Sequence, residues 1–132
     1  MMLAQLVTSP RGMPTSVLGG TSWRLAAITR GDGSTETVAD PAKYTISFNA
    51  DGSVSVQLDC NRGHGTWSSP ELGKVELGPL AVTRVLCPPG SIGDRVAKDL
   101  THVRSYTIQE GALLLVLSPT ADGGSYLLTA GP

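Results

Sequence analysis

Two alternating runs joined by a turn constrain this chain more than any other feature. In YTISF, Tyr44, Ile46 and Phe48 share one face, and Thr45 and Ser47 the other. In SVSVQLD, Val54, Val56 and Leu58 share a face, with Ser53, Ser55 and Gln57 opposite. A period of two marks strands with one buried side, and the intervening NADG carries turn chemistry. So short a link cannot make a parallel crossover, so the two strands pair antiparallel.

The same signal recurs along the chain. TSWRLAAI places Trp23, Leu25 and Ala27 on one face, and GKVELG places Val75 and Leu77 inward. VRSYTIQ turns Tyr106 and Ile108 inward, the dipeptide EG reverses the chain, and ALLLVL follows, apolar on both faces. PTADGG reads as the last turn and SYLLT as the last strand. Between these lies one change of period. In GSIGDRVAKDLTHV, Ile92, Val96 and Leu100 recur every four residues, which predicts an amphipathic helix from about Ser91 to Thr101. Ser91 is placed to cap it, with Asp94 completing a capping box. Arg95, Lys98 and Asp99 fall on the opposite, solvated face. The expected fold is mostly β (α+β): a small antiparallel β-barrel-like domain of about seven or eight strands. The helix is expected to cover it, and the doubly apolar ALLLVL is the strand most in need of cover.

The chain has 132 residues, enough for one domain. Residues 1–16, with Pro10, Gly12 and Pro14, read as a flexible arm before a domain at 17–130. A net charge of −1 with no basic run excludes a nucleic-acid footprint. The longest apolar stretch, Ala112 to Leu117, falls far short of the roughly 20 residues of a membrane span, so no transmembrane segment is expected.

The stretch LDCNRGHGTW, Leu58 to Trp67, is where chemistry would be sought. It holds one of two cysteines and one of two histidines. A nucleophilic Cys60 would need a base brought within reach by the fold, and proximity of His64 in sequence does not supply that. Cys60, His64, Cys87 and His102 are the inventory of a zinc site, but they lack the short paired spacing such sites use. Cys60 and Cys87 each end a predicted strand beside turn residues, which fits a single disulfide. A bridge of that span stabilises by roughly 3.5 kcal/mol on the chain-entropy model and belongs to an oxidising compartment. Two free buried thiols are the alternative. Asn61, Gly63 and Gly65 suit a tight turn, with Asn61 bonding its own backbone. Trp23 reads as core. Trp67, if exposed beside Arg62 and His64, makes that trio the first candidate for a ligand contact.

Four segments in register resemble the META domain family, the family of HslJ-like heat-shock envelope proteins. LGGTSWRL (Leu18 to Leu25) is similar to the family's opening Leu-x-Gly-Thr-x-Trp-x-Leu. DCNRGHGTW is similar to its Gly-Cys-Asn segment, LGPLAVTRVLCP (Leu77 to Pro88) to its strand ending in Thr-x-Met-x-Cys-Pro, and DLTHVRSYTIQEGALLLV to its helix end and hairpin. Asp59 stands where the family has Gly, Val85 where it has Met, and the lipobox of many relatives is missing from this sequence. The resemblance implies a barrel-like fold with one helix in an exported or envelope protein, secreted or periplasmic. It implies no catalytic residue and no cofactor.

The leading expectation is therefore a non-enzymatic, stress-associated module. It would bind a protein or small-molecule partner as a monomer or weak dimer. The rivals are a carrier using the barrel cavity and a hydrolase using the Asp59–His64 loop.

Overall fold

The computed structural model describes residues 17–118 and 124–131. The expected arm at 1–16 and most of the last turn lie outside them. Among the described residues, ten strands form one antiparallel sheet. They are β1 (Thr21–Thr29), β2 (Thr35–Thr37), β3 (Tyr44–Phe48), β4 (Ser53–Leu58), β5 (Asn61–Ser68), β6 (Glu76–Leu77), β7 (Ala81–Val82), β8 (Val103–Gln109), β9 (Ala112–Leu117) and β10 (Ser125–Ala130). Among the described residues there is one α-helix, α1, which spans Gly93–Leu100. The strand order is β6-β5-β4-β3-β1-β10-β9-β8, with β2 on β1 and β7 on β5. The ends of this path meet. Lys74 bridges Ser105, Val75 N–H donates to the Arg104 carbonyl at 3.2 Å, and Tyr106 N–H donates to the Gly73 carbonyl at 2.9 Å. The result is a nearly closed barrel, which removes most of the sheet edge.

Alternation builds the interior. Tyr44, Ile46 and Phe48 on β3 face inward, opposite Leu58, Val56 and Val54 on β4. Leu113, Leu115 and Leu117 do the same on β9. Glu110 and Gly111, at φ 52° and 79°, form the two-residue turn between β8 and β9, the positive-φ geometry that suits the twist of paired strands.

In β1 and α1 the structure departs from the sequence reading in four respects. On β1 the inward face runs Trp23, Leu25, Ile28 rather than on to Ala27. Leu127 pairs with Ala27 but Leu128 with Leu25, so Ala26 is an extra residue that flips the phase. The helix begins at Gly93 with Ile92 as its cap residue. Ser91 Oγ instead accepts the Gly93 N–H at 3.3 Å.

Nor does the helix cover the outward side of β9, where Leu114 and Val116 are half-buried. Val96 and Leu100 close over Leu25, Tyr44, Ile46, Leu58, Tyr126 and Leu128, leaving about 10 Å³ of apolar space, no more than one water's worth. Gly93 makes that seating close, because a Cβ there would stand 2.7 Å from the Leu58 carbonyl oxygen. Finally, the helix charges are not all solvated. Arg95 pairs with Glu36 at 3.0 Å, and Asp99 accepts a hydrogen bond from the Tyr126 hydroxyl at 2.6 Å. Burial, then that bond to a carboxylate, pushes the Tyr126 hydroxyl far above its ordinary titration range. It acts as a latch between α1 and β10.

Candidate functional site

Asn61 to Ser68 is a strand, not a turn. The reversal comes earlier, at Asp59, whose φ of 63° is the left-handed conformation that glycine adopts without cost. This gives a physical reason for glycine in the resembling pattern, and Asp is among the residues that tolerate the region. Asp59 turns its carboxylate toward Lys43, 4.0 Å away.

Along β5, Asn61, Gly63, Gly65 and Trp67 take one side and Arg62, His64, Thr66 and Ser68 the other. The glycines serve close approach. A Cβ on Gly65 would lie 2.7 Å from the Pro79 carbonyl oxygen, and one on Gly63 would lie 2.9 Å from Val82 Cγ2. They let the segment from Gly78 to Val82 press against β5.

Trp67 is half-buried and meets Phe48 edge-on, with ring centroids 5.4 Å apart. Its indole N–H donates to the Asn49 carbonyl at 3.0 Å. It therefore anchors the β3–β4 turn, on the opposite side of β5 from Arg62 and His64. Those two remain together, exposed beside Ala81, Val82 and Thr83. The trio expected from the sequence is thus divided into a pair and a structural aromatic. The period-two spacing of Asn61, Gly63, Gly65 and Trp67 was the signal for this. Two glycines hid it, because they carry no side chain to count.

After β7 the chain runs irregularly through residues 83–90, a strap held to the start of β5. Cys60 and Cys87 are joined by a disulfide, their Cα atoms 5.6 Å apart. Asn61, buried, supplies the second hold. Its Nδ2 donates to the Val85 carbonyl at 2.9 Å, and its Oδ1 accepts the Val85 N–H at 2.7 Å and the Thr83 hydroxyl at 2.8 Å. One amide side chain thus pairs with both backbone groups of Val85, as a neighbouring strand would. Thr83 adds a backbone pair, its N–H donating to the Arg62 carbonyl at 2.9 Å, while its hydroxyl accepts the Arg62 N–H at 3.0 Å.

The clamp takes the Thr83 hydroxyl, the Val85 backbone and the Cys87 sulfur, and leaves the side chains of Arg84, Val85 and Leu86 outside it. The consequence is apolar exposure: Leu86 is 96% and Val85 60% accessible. A groove of about 360 Å³ runs between strap and helix, lined by Leu80, Val82, Arg84, Asp94, Ala97 and Lys98. A cleft of about 330 Å³ lies on the other side, among Lys43, Asp59, Pro88 and Ile92.

The zinc inventory does not converge. The two sulfurs are bonded to each other, and His64 projects from the outer side of mid-β5. Among the described residues no three His, Cys, Asp or Glu side chains gather as a metal site would require. Among the same residues no helix is long and apolar enough to cross a membrane.

Comparisons agree with this architecture. The NMR structure of a protein from Burkholderia xenovorans superposes with a TM-score of 0.74 at 25% identity, covering 94% of this chain and 95% of that one. The crystal structure of a DUF4847 family protein from Bacteroides vulgatus shares the fold, with a TM-score of 0.63 at 14% identity over 87% of this chain and 95% of that one. No curated protein matches the chain. The sequence itself matches the META domain over residues 16–129, a span that takes in β1, the Cys60–Asn61 clamp, the strap and the β8–β9 hairpin. The chain belongs to the META domain family.

Proposed function

We propose that this META domain is a non-enzymatic binding module of an exported or envelope protein, stress-associated as its HslJ-like resemblance implies. Its partner, a protein or small molecule, engages the strap. The observation that carries the reading is the exposure of Val85 and Leu86 on a segment pinned from beneath by a disulfide and a buried amide. Paired large apolar side chains in water are costly to display and mark interaction surfaces. Arg62, His64 and Arg84 lie exposed on or beside the strap and supply polar contacts at its rim.

The geometry weighs against the hydrolase reading. Acid–base partners must stand within about 3 Å of each other. Asp59 is committed toward Lys43 before β5 begins, while His64 pairs with Ser55 in mid-strand, about 10 Å beyond Asn61 at the rise of a strand. The interior beneath the helix is filled by side chains, which weighs against a carrier.

A photoreactive residue in place of Leu86, in the full-length protein in its native cells, tests this reading against the same residue at Glu110. The expected result is one discrete adduct from position 86 that is lost in Cys60→Ser. No adduct above the position-110 control contradicts the reading, as does hydrolytic turnover abolished by His64→Ala.

A further inference from the structure

We infer that the Cys60–Cys87 bond is a directional thiol–disulfide exchange site, attacked by an external thiolate at Cys60 and releasing Cys87. The inference is independent of what the strap docks against. It rests on an asymmetry between the two sulfurs. Cys87 Sγ accepts two N–H donors, the Cys60 backbone N–H at 3.3 Å and Asn61 Nδ2 at 3.4 Å. Cys60 Sγ has the same amide nitrogen only at 3.8 Å. The Val85 carbonyl does not discriminate between them, lying 3.8 Å from Cys60 Sγ and 3.9 Å from Cys87 Sγ. The exposure of the two residues differs in the complementary sense: Cys60 as a whole residue is exposed and Cys87 half-buried.

Exchange rates depend on which sulfur is reached and on how well the leaving thiolate is stabilised. Hydrogen bonds from N–H groups favour the charged form of an acceptor. Stabilisation of the leaving thiolate therefore selects Cys87, and the greater exposure of residue 60 acts in the same sense. The attacking thiolate forms a new S–S bond to Cys60 Sγ as the Cys60–Cys87 bond breaks, and that bond's electron pair passes to Cys87 as thiolate. With a dithiol reductant, its second thiolate then attacks the mixed disulfide and frees Cys60. The net change is one dithiol oxidised to a disulfide and one protein disulfide reduced to two thiols, with the dithiol's two protons taken up by the cysteines. The cognate co-reactant is thus a thiol or dithiol, small or borne on a protein. The strap keeps the Asn61 bonds to Val85 and Thr83 throughout, because those bonds do not involve sulfur.

Brief exposure of the oxidised domain to glutathione tests the inference, followed by acid quench, alkylation of the freed thiol and peptide mapping. Glutathione is expected on Cys60 and the alkyl group on Cys87, in an excess of about threefold or more from leaving-group preference. Migration between the two mixed disulfides preserves this sense, because Cys87 is the better stabilised thiolate. Asn61→Ala is expected to shrink the excess by removing one of the two donors. A wild-type ratio below that, an even split, or an excess on Cys87 overturns the inference. The wild-type measurement decides the matter even if the variant fails to fold.

Discussion

The β3–β4 hairpin and the β5–strap unit lie side by side in one sheet and are held by different means. In the hairpin every inward side chain is aliphatic or aromatic, and the strands are locked by interdigitation: Phe48 opposite Val54, Ile46 opposite Val56, Tyr44 opposite Leu58. In β5 the inward positions are Asn61, Gly63, Gly65 and Trp67. Only Trp67 packs as an apolar side chain; a covalent bond, one amide and two missing side chains do what three further apolar side chains would otherwise do. Apolar burial fixes a strand in its register. A clamp fixes a segment that has little to bury, and so leaves Val85 and Leu86 displayed. The contrast explains how one small barrel keeps a filled core and still presents apolar surface.

The sharpest way to break the comparison is to empty the hairpin. Phe48 is fully buried and touches Trp67, so Phe48→Ala is expected to cost about 3–5 kcal/mol through lost transfer energy and a cavity. Chemical denaturation reads this directly. Next comes the clamp. Replacing both cysteines by serine opens a loop of sequence separation 27, expected to cost about 3.5 kcal/mol, less than the roughly 5–15 kcal/mol that holds a domain together. The variant is therefore expected to remain folded by circular dichroism.

Gly65→Ala probes close approach. Its Cβ would enter 2.7 Å from a backbone oxygen that cannot swing away, and a loss of about 1–3 kcal/mol is expected from overpacking. A melting temperature equal to wild type would show that the glycine is dispensable.

The hairpin was legible in the sequence and the strap was not, for a reason those residues make plain. Alternation among Tyr44, Ile46, Phe48, Val54, Val56 and Leu58 is a signal each residue contributes to alone. The clamp is a relation between residues 60–61 and 83–87, and only the cysteines advertise it. Asn61 looked like a turn residue because its chemistry is the same whether it bonds its own backbone or Val85's. The bulge at Ala26 was equally hidden, since Ala fits either face of a strand. Helix phase and capping chemistry place Ser91, Arg95 and Asp99 on or beside α1 but do not name what they bond. Their partners, Gly93, Glu36 and Tyr126, are set by where α1 docks.

The smallest expected effect concerns the turn that closes the hairpin. Asp51 accepts the Ser53 hydroxyl at 2.6 Å and the Ser53 N–H at 2.8 Å, which hold its carboxyl below the ordinary aspartate range. Asp32 and Ser34 repeat the device between β1 and β2. A carboxyl whose pKa is lower folded than unfolded contributes stability above the unfolded value, about 3.9. That contribution is lost as pH falls through the folded value. Urea midpoints measured from pH 6 down to pH 2 are expected to fall less steeply in Asp32→Asn/Asp51→Asn than in wild type. Both carboxyls are fully solvated, so the difference is expected to be slight.

The barrel holds itself, while the strap is held by its clamp. Amide proton–nitrogen NMR spectra of the oxidised and fully reduced protein, recorded under native conditions, test it most directly. A folded reduced state is expected, with shift changes confined to residues 59–62 and 83–90 and with Ile46, Phe48, Val54 and Val56 unmoved. Changes that spread through the hairpin, or a reduced strap indistinguishable from the oxidised one, would contradict it.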